Sequence, residues 1–240
     1  MNRNKMRCRY LKDLQVFKVT DGNSCKYASV NSRVLNYQRG FDARANYLCS
    51  TYFIDAINFK ARDLVVDCGA NMGDLHIIFD RKKNVDYVGY EPNPLDFICL
   101  KQNVGIDKSK NLGLWKTSIS TQFFVNDRHA SSSFIEPPNY TKIINVAAVT
   151  LASEYPNRKI KLLKLEAEGA EPEVLYGATA ILSNIHYISA DLGPERGKFE
   201  ESTEHEVVKF LSRYNFVIEL KGQYRKTILF RNLFYNDDPR

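Results

Sequence analysis

The chain has 240 residues, of which 44% are hydrophobic and 26% are charged, and these values are ordinary for a globular protein. They exclude a chain that is disordered throughout, and no stretch approaches the roughly 20 apolar residues that a membrane-spanning helix needs. The net charge of +6 is dispersed along the chain, so it permits an anionic partner without requiring one.

Cysteine usage and the N-terminus indicate a compartment. Five cysteines stand apart from one another and form no Cys-x-x-Cys pair, which fits poorly with a disulfide framework. The N-terminal residues are basic, but no apolar segment follows them, so we expect no signal peptide. We therefore expect a cytoplasmic protein, with a peripheral contact to the inner face of the membrane and the oligomeric state left open.

The N-terminal quarter of the chain predicts a small cap. Two strand patterns flank Asp21-Gly22-Asn23, and an Asp-Gly pair in that position predicts a hairpin. Apolar residues then recur at near-helical spacing over residues 42–58, with Asp42 as the expected N-cap. We expect residues 1–62 to form a hairpin-plus-helix cap that packs on a domain spanning residues 63–240.

From residue 63 onward, strand and helix patterns alternate along the chain. Alternation of this kind predicts an α/β fold with a mainly parallel sheet, helices on both faces, and ligands at the carboxyl ends of the strands. The capping-box pattern of Thr203 and Glu206 marks the start of the last helix. The predicted strands cover residues 65–67, 86–91, 160–166 and 186–192, the helices cover 75–81, 94–104, 171–184 and 203–215, and an antiparallel hairpin covers 216–221 and 226–232.

The tip of the first parallel strand carries a glycine turn, in the segment DLVVDCGANMGD (residues 63–74). Gly69 and Gly73 would let the backbone turn sharply and approach a ligand without a Cβ. The next strand ends in Glu91, where a carboxylate accepts hydrogen bonds from both ribose hydroxyls. These features predict an adenosine site. The alternative is an ordinary strand-to-helix turn with Glu91 on a solvated rim.

S-adenosylmethionine fits this turn better than NAD. The pattern is D-x-G-x-N-x-G and lacks the third glycine of the dinucleotide fingerprint. A cofactor without a pyrophosphate needs no full phosphate cradle, and we expect Asp67 to face its positive charge.

A second charged segment, IKLLKLEAEGAEPEVLYGA, covers residues 160–178. Charges are seldom placed at a strand end without partners, so Glu166 or Glu168 is a candidate base that orients or deprotonates an acceptor hydroxyl. Lys164 would hold that carboxylate ionised or bind the acceptor. Alternatively Lys164 and Glu166 pair as structure, and we expect Glu171 to serve the helix N-terminus. A divalent ion is compatible with the cluster, but no full ligand set is present, so we predict no metal site.

Three further segments bear on the acceptor. The order of residues in Glu136–Tyr140 is wrong for the Asn-Pro-Pro-Tyr element of amino-methylating nucleic-acid enzymes. We interpret this segment as a loop over the acceptor pocket in which His129 and Ser132 contact substrate, although a plain surface loop explains it equally well. Asp191, with Glu195 and Arg196 beyond it, is expected on the acceptor side; a helix-entry loop is the alternative.

The segments DLVVDCGANMGD, YVGYEPNP (87–94) and LLKLEAEGAEPEVLYGA (162–178) together resemble the FkbM-type S-adenosylmethionine-dependent methyltransferases. The resemblance covers about residues 63–192, and it implies a Rossmann-like class I methyltransferase fold with a seven-stranded sheet. It also implies O-methylation, commonly of sugar hydroxyls on glycans or glycosylated metabolites. The implied cofactor-binding residues are Asp67, Gly69, Ala70, Asn71, Gly73, Glu91, Pro92 and Ser118, and the implied catalytic residues are Lys164, Glu166 and Glu168.

One position departs from that family, which usually has Asp where this chain has Glu166. The extra methylene moves the carboxylate by about a bond length, and misplacement on that scale costs on the order of 10²-fold in rate. The departure leaves open which carboxylate acts as the base.

We therefore expect an S-adenosylmethionine-dependent O-methyltransferase whose partner is a sugar or glycan, anionic or lipid-linked forms included. No nucleic-acid partner is expected, because the cations are scattered instead of forming a contiguous basic face. The rival hypotheses are a nicotinamide oxidoreductase, a nucleic-acid methyltransferase, and a cofactor-binding module without turnover. The sequence leaves the acceptor unidentified.

Overall fold

The structure, a computed structural model, describes residues 6–82, 84–128, 131–223 and 225–236. The chain begins with a three-stranded antiparallel sheet and two helices. The predicted hairpin is confirmed, because Asp21 pairs with Ser24 across the turn, but a preceding strand was not predicted. The elements are β1 (Arg7–Leu11), β2 (Val16–Asp21), β3 (Ser24–Ala28), α1 (Asn31–Val34) and α2 (Phe41–Thr51).

Strands and helices then alternate, as the sequence predicts. The elements are β4 (Leu64–Cys68), α3 (His76–Arg81), β5 (Asp86–Tyr90), α4 (Pro94–Val104), β6 (Ser109–Lys110), β7 (Gly113–Leu114), β8 (Ile119–Val125), β9 (Lys142–Val149), α5 (Leu151–Glu154), β10 (Ile160–Leu165), α6 (Glu171–Gly177), β11 (Ile185–Asp191), β12 (Pro194–Arg196), β13 (Glu201–Ser202), α7 (Glu204–Ser212), β14 (Phe216–Lys221) and β15 (Thr227–Asn232). Short 3₁₀ helices cover Leu35–Tyr37, Ile54–Ala56, Ile106–Lys108 and Thr179–Asn184.

The central sheet has seven strands in the order β14-β15-β11-β10-β4-β5-β6. Every neighbouring pair from β11 to β6 is parallel, whereas β15 runs antiparallel to both β11 and β14. The predicted mainly parallel sheet with a C-terminal hairpin is therefore confirmed. The chain starts this sheet at β4, builds outward through β5 and β6, and returns to β10 on the other side of β4. A reversal of this kind opens a ligand crevice at the carboxyl ends of the two central strands.

Two local predictions are wrong. Helix α2 has Gly40 as its N-cap, with φ +92°, and the expected cap Asp42 lies within the helix. No side chain caps α7, because the Thr203 hydroxyl donates instead to Glu171 Oε2 at 3.0 Å and Glu206 accepts from the Tyr176 hydroxyl at 2.6 Å. Both side chains of the expected capping box thus serve tertiary contacts.

The hydrophobic core lies on both faces of the central sheet. On one face, apolar residues of the cap such as Val19 and Leu48 share a buried cluster with Val65 and Leu162. Helices α6 and α7 pack on the other face. The cap is therefore anchored by apolar burial, the dominant favourable term in folding. In the described part of the chain, no helix has the length and apolar character needed to cross a membrane.

Candidate active site

A cleft lies at the carboxyl ends of β4, β5 and β10, and the cap covers one side of it. Most of the predicted site residues line it. Gly73, Ser118 and Asp191 are not among its lining residues, and His129 lies outside the described residues. The predicted site residues that line the cleft are Asp67, Gly69, Ala70, Asn71, Glu91, Pro92, Ser132, Lys164, Glu166 and Glu168.

Glu91 points toward the glycine turn. One carboxylate oxygen, Oε2, accepts the backbone N–H of Asn71 at 2.9 Å, and the other, Oε1, accepts that of Asn93 at 2.8 Å. Asn71 has φ +50°, a left-handed conformation that asparagine tolerates better than most residues. Each carboxylate oxygen keeps a further lone pair for another donor. The tips of β4 and β5 therefore converge on one carboxylate.

Burial dominates the electrostatics of Glu91. Together with the negative charge of Asp96, burial raises the pKa of Glu91 to about 8, against the lowering effect of its two backbone donors. Asp96 accepts hydrogen bonds from the Ser29 hydroxyl and from Asn93 Nδ2. A ligand that donates hydrogen bonds to Glu91 favours its ionised form, so binding of that ligand depends on pH.

Asp67 is already paired within the protein. Its Oδ1 lies 3.0 Å from Lys164 Nζ, and its Oδ2 accepts from the Tyr87 hydroxyl at 2.6 Å. Asp67 is therefore not the free counter-charge that we expected. The cleft is acidic as a whole, because six carboxylates and three cations are found among its described lining residues.

The two glycines of the turn are required by contacts with the protein itself. Gly69 has φ +70°, and a Cβ there would lie 1.9 Å from the carbonyl oxygen of Glu166. Gly73 has φ +80°, and a Cβ there would lie 2.5 Å from the Val104 side chain. Close approach to a ligand, the reason that we expected, accounts for neither distance.

Lys164 is a buried hub at the end of β10. Its ammonium group lies between Asp67 and Glu166 Oε2, at 3.0 and 3.2 Å, and it donates to the carbonyl oxygen of Gly69 at 2.9 Å. Although burial lowers the pKa of Lys164, the two carboxylates raise it well above its ordinary value. Lys164 therefore stays charged and cannot act as a base.

Glu166 is held by cations on two sides. Its second oxygen, Oε1, accepts from Arg225 Nη2 at 2.6 Å. Burial raises the pKa of Glu166, but Lys164 and Arg225 outweigh burial and lower it to about 2. So low a pKa makes Glu166 a weak base. The structural pairing of Lys164 with Glu166, one of the two interpretations from the sequence, is present.

Glu168 differs from its neighbour. It has φ +50°, and among the described residues none donates a hydrogen bond to its carboxylate. Burial, then the negative charges of Glu195 and Glu166, raise the pKa of Glu168 well above its ordinary value. The chain therefore places one weak and one strong carboxylate base two residues apart.

Contacts between neighbouring loops fix the position of Glu168. Arg196 makes a bidentate pair with Glu173, at 2.7 and 2.9 Å, and donates to the carbonyl oxygen of Gly169 at 2.5 Å. Glu171 accepts the backbone N–H groups of Ala167 and Gly169 at 2.8 and 3.2 Å. The expectation that Glu171 is structural is thus confirmed.

Three predicted residues lie away from the cleft lining. Ser118 is exposed, and its hydroxyl accepts the backbone N–H of Thr150 at 3.4 Å. Asp191 is buried; it pairs with Arg225 and accepts the backbone N–H of Gly193 at 3.3 Å. Gly73 packs against α4.

Sequence reasoning missed the cap's contribution to the cleft. Four lining residues come from the cap, namely Arg33, Arg44, Leu48 and Tyr52. Arg44 Nε lies 2.8 Å from Asp74 Oδ2, a partner 30 positions away. No local pattern marks such a pairing. Tyr52 alone had a signal, as an aromatic residue of the predicted helical segment.

A second cavity adjoins the cleft, and Glu168 lines both. It lies between the loop over residues 126–141 and the strand β12 with its following turn. Lys198 Nζ lies 3.0 Å from Glu136 Oε1 and joins the two sides. The described lining residues include Asn126, Arg128, Ser131, Tyr140, Thr141, Glu195 and Glu200.

The strand order and this cleft define a class: an α/β protein that binds its ligand where the first two parallel strands end. The Methyltransferase FkbM domain matches residues 67–218. The chain therefore belongs to the FkbM methyltransferase family, and it is an S-adenosylmethionine-dependent methyltransferase with a Rossmann-like class I fold.

Comparisons with solved structures gave distant similarities. TrmK from M. capricolum, in complex with S-adenosylhomocysteine, is 10% identical over 81% of this chain and 71% of its own, with a TM-score of 0.44. The delta-N METTL16 methyltransferase domain is 14% identical over 81% and 83%, with a TM-score of 0.45. A precorrin-6y C5,15-methyltransferase from Geobacter metallireducens GS-15 is 11% identical over 78% and 87%, with a TM-score of 0.44. No curated protein matches the chain by sequence.

The residues present fit S-adenosylmethionine. Glu91 offers lone pairs for the ribose hydroxyls, and the excess of carboxylates suits a sulfonium cation. Apolar side chains such as Leu114, Phe123 and Phe134 suit a flat base. When bound, this cofactor supplies an electrophilic methyl group.

Proposed function

We propose that the protein methylates a hydroxyl of a sugar, in a glycan or a glycosylated metabolite, with Glu168 accepting the hydroxyl proton. The position of Glu168 carries this proposal, because it lines both the cofactor cleft and the second cavity. An acceptor bound in the second cavity would present its hydroxyl at the junction of the two.

Charge and pKa favour Glu168 over its neighbours as the base. Glu166 has a pKa of about 2 and is held by two cations, and Lys164 stays protonated. The carboxylate of Glu168 has the raised pKa that makes it a stronger base once ionised. It would take the proton from the acceptor oxygen as that oxygen forms its bond to carbon.

The lining of the second cavity supports a sugar as acceptor. Amide and hydroxyl groups of Asn126, Ser131 and Thr141 match the donors and acceptors of sugar hydroxyls. The Tyr140 ring, 41% exposed, offers an aromatic surface. Polar groups with one aromatic face are what a ring of hydroxyls and C–H bonds requires.

The same lining disfavours an anionic acceptor at this position. Three carboxylates, Glu168, Glu195 and Glu200, line the cavity, and Arg128 is the only cation among its described lining residues. Nucleic-acid binding depends on cations that neutralise phosphates. We therefore propose an acceptor without anionic groups in this cavity, narrower than the anionic forms that the sequence left open. The five cysteines, all described, are free thiols, which supports the proposed cytoplasmic location.

Acceptor profiling tests the proposal. The protein is incubated with methyl-labelled cofactor and three substrate sets: neutral oligosaccharides, matched oligosaccharides that contain uronic acids, and RNA. We expect mass spectrometry to find label on hydroxyls of the neutral set. Label on RNA, or on the acidic sugars alone, would contradict the proposal.

A further inference from the structure

Arg225 joins two strand ends from outside the cleft. It lies in the turn between β14 and β15 and is not among the described lining residues of either cavity. Its Nη2 donates to Glu166 Oε1 at 2.6 Å, and its Nε pairs with the buried carboxylate of Asp191. One guanidinium thus links the tips of β10 and β11.

The contacts continue from Glu166 to the cofactor side. Glu166 Oε2 lies 3.2 Å from Lys164 Nζ, which in turn lies 3.0 Å from Asp67 and donates to the carbonyl oxygen of Gly69. Asp191, Arg225, Glu166, Lys164 and Asp67 therefore form a chain of alternating charges. We refer to these five residues as the charge chain.

We propose that Arg225 is a positioning residue for the cofactor turn and acts on it through Glu166 and Lys164. Without the guanidinium, the carboxylates of Glu166 and Asp191 lose their shared cation. The resulting excess of negative charge competes with Gly69 and Asp67 for the ammonium of Lys164. Breaking one pair in a largely buried set leaves an uncompensated charge, which is costly.

The charge chain also accounts for Glu at position 166. This side chain bridges Lys164 and Arg225, one cation at each oxygen. An aspartate there would be shorter by about a bond length, on the order of 1.5 Å. It would lose one of its two contacts. The departure from the family residue is thus matched by the partner in the C-terminal hairpin.

Removal of Arg225 has a predictable pH signature. The groups that face Glu166 are the cations Lys164 and Arg225, the Tyr52 hydroxyl of the cap, and the carboxylates of Asp67, Glu168, Asp191 and Glu195. Loss of one cation raises the pKa of Glu166 from about 2 toward its ordinary range. Glu166 then takes up a proton as the pH falls, and its hold on Lys164 weakens.

Calorimetric titration with S-adenosylhomocysteine tests this proposal on the full chain. We expect Arg225→Gln to weaken binding by about three- to thirtyfold, a range typical of coupling through a side-chain network. The ratio of variant to wild-type Kd should grow between about pH 8 and about pH 5, and the ratio cancels titration that both proteins share. Unchanged affinity throughout this range would overturn the proposal.

Arg231→Gln is the matched control. Arg231 lies on the same hairpin and pairs with Glu219 at 2.7 Å on the surface, so we expect no change in Kd. Glu166→Gln should add little to Arg225→Gln, because both break the same link; fully additive losses would contradict the proposal. If Arg225→Gln does not fold, Glu166→Asp tests the link without removing a charge: weaker binding supports the proposal, and wild-type affinity overturns it.

Discussion

The two sides of the cleft are built in different ways. On the cofactor side, Glu91 is held by backbone N–H groups of Asn71 and Asn93, within short loops. On the acceptor side, Glu166 is held by side chains, and its partner Arg225 is 59 positions away. A site built from backbone groups near strand ends leaves a motif in the sequence. A site built from long-range ion pairs does not.

The two sides meet at Gly69, and substitution there should have the largest effect. The Cβ of Gly69→Ala would lie 1.9 Å from the backbone oxygen of Glu166, and the residue would keep φ +70°. Strain and overlap together should cost about 3 kcal/mol or more and abolish cofactor binding. Chemical denaturation measures the free energy of unfolding.

Gly105→Ala is the control for this substitution. Gly105 has φ +103°, but a Cβ there meets nothing within 4 Å, so we expect a loss of only about 1 kcal/mol. Equal losses in the two variants would show that the turn and the end of β10 are not tightly packed together.

The same contrast explains what could be predicted from the sequence. The fold followed from alternating patterns, and Glu91 from its spacing after the glycine turn. Strand β9 was missed; its flanking loops have weak patterns. Arg44, Tyr52 and Arg225 could not be found, because each meets partners that are distant in sequence and are brought together only by the folded sheet.

The acceptor side predicts separate roles for two nearby carboxylates. Glu168→Gln should slow methyl transfer by about 10²–10⁴-fold, the usual contribution of a general base, and should leave affinity for S-adenosylhomocysteine unchanged. In the wild-type protein the rate should rise with pH through the raised pKa of Glu168, because only the ionised form accepts a proton.

Glu166→Gln is the comparison for this prediction. It should weaken binding of S-adenosylhomocysteine, because Glu166 supports the cofactor turn through Lys164. Single-turnover rates and calorimetry separate the two effects. If Glu166→Gln alone removed the rise of rate with pH, Glu166 would be the base and our assignment of Glu168 would be wrong.

The central claim is that Glu91 binds the ribose of the cofactor, and the pH dependence of S-adenosylhomocysteine affinity tests it most directly. The pKa of Glu91 is raised to about 8, and ribose donors would lower it on binding. The wild-type affinity should be highest above about pH 8 and fall by up to about tenfold for each unit below it. Glu91→Gln should bind more weakly and lose this dependence. A variant that binds as tightly as the wild-type protein, with the same pH profile, would contradict the claim.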